Sequence, residues 1–70
     1  MSYHDLIHAI IKQAVKDYRE ALKQNKKYPE KYQYKIIISD IEVFFRSDYF
    51  KSLTDVSGEW LIETLRGELK

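Results

Sequence analysis

The sequence predicts an all-α fold, a small bundle of three main helices plus one short helix over about residues 2–24, 30–46, 48–53 and 58–69, in a single domain spanning 1–70. Three observations carry this. Apolar residues recur at three- and four-residue intervals instead of alternating. Each expected helix start has a capping residue or a proline in front of it. With two glycines and one proline in 70 residues, the chain is not loop-rich.

The first helix opens on Ser2 with Asp5 three positions on, a pattern in which hydroxyl and carboxylate satisfy free backbone N–H groups. Tyr3, Leu6, Ile7, Ile10, Ile11, Ala14, Val15, Tyr18, Ala21 and Leu22 follow at helical spacing and make a wide apolar face. Opposite it, Lys12, Lys16, Arg19 and Lys23 form one basic stripe that continues into Lys26 and Lys27. Residues 25–29 are the expected connection. Pro29 disfavours helical geometry at Tyr28 and suits the first turn of the next helix, with Glu30 behind it.

In the second helix Tyr34, Ile37, Ile38, Ile41, Phe44 and Phe45 form a strict stripe. Three consecutive isoleucines favour a strand locally, but Ile41, Phe44 and Phe45 continue the helical phase. A second apolar set, Tyr32, Ile36 and Val43, falls on nearly the opposite side. A helix apolar on two sides is expected between two neighbours, which makes this the central helix. Ser47 caps the short helix that brings back Tyr49, Phe50 and Leu53. Ser57 caps the last one, which carries Leu61, Ile62, Leu65 and Leu69 on one face, with Val56 and Leu61 spaced for a hydrophobic staple. Gly67 weakens its end. The expected core is Ile7, Ile10, Ala14, Tyr18, Ile37, Ile38, Ile41, Phe44, Phe45, Phe50, Leu53, Leu61, Ile62 and Leu65, with Tyr49 beside it. The first two helices are expected antiparallel because their connection is short.

Bulk properties limit the function classes. A domain of 70 residues is expected to be stable by only ~3–5 kcal/mol. Without cysteine, neither a disulfide nor a thiolate metal site can reinforce it. The net charge of +1 argues against a strong polyanion binder. The charge is uneven all the same: residues 1–35 carry eight Lys/Arg and four Asp/Glu, and residues 36–70 carry four and seven. No apolar run approaches the ~18 residues of a membrane span, and no basic region followed by an apolar block marks a signal peptide. A cytoplasmic protein without a membrane contact is expected.

The block Asp40-Ile41-Glu42-x-Phe44-Phe45-Arg46-Ser47-Asp48-Tyr49-Phe50-x-x-Leu53-Thr54, followed by Gly58-Glu59-Trp60-Leu61-Ile62, resembles small uncharacterised proteins encoded by phages and prophages of Gram-positive bacteria. Those proteins pair a variable N-terminal helix with this aromatic block and often have Asp where this chain has Ser57; both residues cap a helix. The resemblance covers the last third to half of the chain. It implies an intracellular accessory protein made during phage growth or lysogeny in a bacterial host, and it transfers no activity and no functional residue.

The candidate sites divide accordingly. His4 and His8 share the i, i+4 spacing that can present two imidazoles to a metal. Zinc needs three or four ligands, and Asp5 lies about 100° round the helix from His4, so no metal or cofactor is expected. No nucleophile motif or enclosed pair of acids appears, so no enzyme activity is expected. The basic residues Lys12, Lys16, Arg19, Lys23, Lys26 and Lys27 suit either an acidic protein surface or a phosphate backbone. Trp60 lies off the apolar face of the last helix. It is placed either against the short helix or in solvent as a partner anchor. The expected function is a non-enzymatic accessory protein acting by protein–protein interaction, as an inhibitor or modulator of a host or defence protein. Two alternatives stand beside it: a nucleic-acid binder using the basic face, and a self-associating structural protein, a homodimer joined through Tyr32, Ile36 and Val43.

Overall fold

The computed structural model describes residues 2–69 and contains four helices: α1 (Tyr3–Lys27), α2 (Tyr32–Phe45), α3 (Asp48–Leu53) and α4 (Gly58–Gly67). The fold class is the expected one, three main helices and one short one.

Local chemistry sets most of the boundaries. Ser2 Oγ accepts from the Asp5 backbone N–H at 3.2 Å, and the Asp5 carboxylate accepts from the Ser2 N–H at 3.4 Å, completing a capping box. Ser57 Oγ accepts from the Trp60 N–H at 3.2 Å at the start of α4. Ser47 does more than cap α3. Its Oγ accepts from the Phe50 N–H at 3.1 Å and donates to the Phe44 carbonyl at 2.6 Å, joining the end of α2 to the start of α3.

Four boundaries differ from expectation. α1 continues past residue 24 to Lys27, where Lys26 and Lys27 face the negative end of the helix dipole. Tyr28, kept out of helical geometry by Pro29, stops it at φ −128° and ψ 67°. Pro29 and Glu30 therefore form the connection itself, closed by the Lys31 N–H donating to the Tyr28 carbonyl at 3.0 Å. A proline fits the second position of such a turn as readily as it fits a helix start, so α2 begins two residues later than expected, at Tyr32, and it ends one residue early, at Phe45. α4 ends at Gly67 instead of residue 69.

α1 and α2 lie antiparallel. Ile10 and Ala14 sit beside Phe44 and Ile41 at one end, and Ala21 and Gln24 beside Ile37 and Tyr34 at the other. α4 lies across one face of this pair, and α2 touches all three other helices. The core consists of Tyr18, Ala21, Ile38, Phe45, Phe50, Ile62 and Leu65, with Ile11, Ala14, Val15, Leu22, Ile41, Phe44 and Leu61 packed around it. Phe45 is its hub. The Tyr18 and Phe50 rings meet it edge-on, with centroids at 5.6 and 5.4 Å, a favoured aromatic geometry.

Two expected core residues are exposed. Ile37 is 41% accessible because α4 covers only the far face of the α1/α2 pair. Tyr49 is 57% accessible because it lies about 100° round a one-and-a-half-turn helix whose inward position is taken by Phe50. Ile7, Ile10 and Leu53 are half-buried and lie outside the central cluster. Nor is α2 enclosed on both apolar sides: Tyr32, Ile36 and Val43 all face solvent.

The 25 residues of α1 span about 37 Å at 1.5 Å per residue, close to the 40 Å long axis of the molecule. α2, with 14 residues, is about 21 Å long. The first turns of α1 therefore overhang the rest. A radius of gyration of 12.7 Å, against ~11 Å expected for this length, reflects the overhang.

α4 meets α2 at very short range. A Cβ added to Gly58 would lie 2.0 Å from the Phe45 carbonyl oxygen and 2.8 Å from its carbon. Glycine stands there because of this backbone approach, and its φ is not positive. Gly67 has nothing within 4 Å of the equivalent point. Gly58→Ala should therefore destabilise the protein by about 1–3 kcal/mol, although alanine is the better helix former. Gly67→Ala should be neutral or gain up to about 1 kcal/mol. Urea denaturation of the two variants checks the contrast, and equal effects would disprove the close-approach account.

Candidate functional site

Two features stand apart from ordinary core packing: a buried polar centre where α1, α2 and α4 meet, and an open apolar groove between α1 and α2.

The polar centre is built on Glu42, the one buried charged side chain among the described residues. The Tyr18 hydroxyl donates to Glu42 Oε2 at 2.5 Å. Arg66 of α4 pairs with the same oxygen through Nη2, and its Nε lies 3.1 Å from both Oε2 and the Tyr18 hydroxyl. Arg46 Nη1 is 3.5 Å from Oε1 and also pairs with Glu59 at the start of α4. Burial pushes the Glu42 carboxyl up, but the Tyr18 hydroxyl and the Arg66 guanidinium outweigh it, so its pKa lies below the usual carboxylate range. Burial, then the hydrogen bond to Glu42, raises the Tyr18 phenol. Among the described residues no buried side-chain nitrogen or oxygen is left without a partner. Each group is thus held in its ordinary charge state by another. That arrangement ties α1, α2 and α4 together in one register.

The expected site residues are scattered. Arg19 forms a two-point pair with Glu68, at 2.8 and 2.9 Å. Lys26 donates to the Leu69 carbonyl at 2.7 Å. Lys27 lies 5.5 Å from the centre of the Tyr28 ring. Half of the basic stripe is thereby engaged within the fold. Lys12, Lys16 and Lys23 are exposed and form no ion pair among the described residues. Trp60 is 58% accessible on the first turn of α4. His4 and His8 are exposed on α1, and no group of three or more potential metal ligands forms among the described residues. No helix among them is long and apolar enough to cross a membrane.

The groove runs along the face of α1 and α2 that α4 leaves uncovered. It consists of two adjoining hollows of about 570 and 440 Å³. The first is lined by Ala9, Ile10, Gln13, Ala14 and Phe44, and the second by Glu20, Ala21, Gln24, Tyr34 and Ile37. Asp17, Asp40 and Ile41 border both. Gln13 Nε2 donates to Asp17 Oδ1 at 2.8 Å. No lysine or arginine among the described residues pairs with Asp17, Glu20 or Asp40. The groove adjoins further exposed apolar side chains, Tyr3 and Leu6 on α1 and Tyr49 against Phe44. The total accessible surface is 5270 Å², against about 4600 Å² for a compact monomer of 8.4 kDa.

The sequence did contain a signal for this groove. Ile10, Ala14, Asp17 and Ala21 follow i, i+4, i+7, i+11, so Asp17 is a carboxylate set within an apolar stripe. No protein-family model, no curated protein and no solved structure matches the chain.

The polar centre makes a pH prediction. A carboxyl whose pKa is lower in the folded state stabilises the protein above its unfolded pKa and loses that contribution as pH falls through the folded value. Stability should therefore decline on acidification below the usual carboxylate range. Glu42→Gln should cost about 1–3 kcal/mol at neutral pH and flatten this acid limb. Urea midpoints of both proteins from pH 7 to pH 3 measure it; parallel curves would show that Glu42 does not set the acid response.

Proposed function

We propose that the protein is a non-enzymatic interaction module that binds another protein through the open α1/α2 face. The observation that carries this reading is the apolar groove with its exposed surroundings. Single apolar side chains on a surface are ordinary, but a contiguous apolar strip rimmed by polar groups marks an interaction site. The closure of the ionisable groups into a structural network favours a binding role over catalysis. The phage-type resemblance of the aromatic block supplies the setting: a cytoplasmic accessory factor that inhibits or modulates a host or defence protein.

Lys12, Lys16 and Lys23 support a second reading, contact with a phosphate backbone, because they are exposed cations without acidic partners among the described residues. The two readings separate in one experiment. Tagged protein is used to capture partners from a Gram-positive host lysate, at low and moderate salt, with and without nuclease, alongside Ile37→Glu and the triple variant Lys12→Glu/Lys16→Glu/Lys23→Glu. The module reading predicts a protein that survives nuclease and is lost with Ile37→Glu. Recovered nucleic acid that disappears in the triple variant and at moderate salt would replace it with the second reading.

A further inference from the structure

We infer that the groove takes an amphipathic helix of about four turns from a protein partner, with a lysine or arginine on its midline between two apolar anchors. This rests on the module reading above and specifies its ligand. Three observations lead to it.

The first is shape. The groove follows two antiparallel helices from Ala9 to Gln24, a rise of about 22 Å, which matches a helix of about 15 residues. Its floor is made of Ala14, Ala21 and Ile41, and the two alanines let a third helix approach closely. Such a site suits the helix-in-groove mode, read by anchors spaced i, i+3/i+4, i+7.

The second is charge. Asp17 and Asp40 border both hollows, one from each helix, at the midpoint of the groove. Neither pairs with a cation among the described residues, although α1 carries six lysines and arginines. A carboxylate beside an apolar floor is disfavoured once the floor is covered, unless the covering surface supplies a cation. An uncharged or acidic helix would leave both charges uncompensated, with Asp17 keeping only the Gln13 amide. A midline guanidinium would meet them with charge-assisted hydrogen bonds.

The third is where the positive charge cannot go. Beyond Glu20, about 40° and 60° farther round α1, come Lys16 and Lys23. A helix basic along its α1 flank would meet them, so its cation belongs on the midline. This also argues against a second copy using its own basic stripe. The apolar side chain beside Lys12, Lys16, Arg19 and Lys23 is Val15, which already packs against the core, so the stripe offers no free anchor.

The test uses the full chain and a fluorescein-labelled helical peptide of about 16 residues, with leucines at the two anchor positions, one arginine between them and neutral helix formers elsewhere. A second peptide has glutamate in place of the arginine, and fluorescence anisotropy reads binding. Saturable binding of the arginine peptide, at least about tenfold tighter than the glutamate peptide, is expected. Asp17→Asn/Asp40→Asn, at two exposed positions, should shrink that ratio to within about threefold, and Ile37→Glu should abolish binding of both peptides. Circular dichroism confirms that the variants fold. Equal affinity for the two peptides, or no saturation, overturns the inference. A monomer–dimer equilibrium in sedimentation that Ile37→Glu abolishes also overturns it, by giving the groove to a second copy. If the peptides fail while lysate capture still depends on Ile37, the module reading stands without this ligand. If both fail, both are overturned.

Discussion

Glu42 imposes the constraint on which the rest of the structure depends. A buried carboxylate is tolerated only if its charge is met, and here it is met from two distant places, Tyr18 on α1 and Arg66 on α4. Apolar surfaces have no directional requirement and can repack in a shifted register. A carboxylate that requires one hydroxyl and one guanidinium cannot. The hydroxyl that Glu42 uses belongs to a fully buried ring that also packs edge-on against Phe45, so the polar and aromatic halves of the centre are locked together. Gly58 adds a steric counterpart. Its contact with the Phe45 backbone sets how near α4 can come, while Arg66 sets how far along it lies.

With α4 fixed in this way, only one face of the α1/α2 pair can be covered. α3, at six residues, is too short to reach the other. The same geometry that completes the core leaves the groove open. The site thus follows from how the described helices pack: α3 and α4 lie against other parts of α1 and α2 and leave this face open.

What could be read from the sequence was what is local. Ser2, Ser47 and Ser57 were legible as caps because a cap depends on residues within one turn. The helices were legible because their period is a property of neighbours. Glu42 was not, because the two groups that hydrogen-bond it, Tyr18 and Arg66, lie 24 positions away in each direction, and the nearby Arg46 is the i, i+4 partner any solvated glutamate could have. Gly58 was not, because its reason is a backbone in another helix. The pattern on α2 showed two apolar sides, but no one-dimensional pattern states which side a neighbour will cover; hence Ile37 was expected inside and lies outside. Asp17 was the one partial clue to the site, a carboxylate in phase with alanines and an isoleucine.

The overhang of α1 carries a dynamic consequence. Its first two turns are held by the Ser2–Asp5 box and by intrahelical bonds, with Tyr3 and Leu6 in solvent. Opening them disturbs none of the central cluster, so their amide protons exchange by local fraying, far faster than those around Tyr18, which wait for the whole bundle to open. Those turns form a built-in reporter. Whatever lies down beside Ile10 and extends toward Leu6 will slow their exchange while leaving the core amides nearly unchanged, so occupancy of the groove can be followed without a label on either partner.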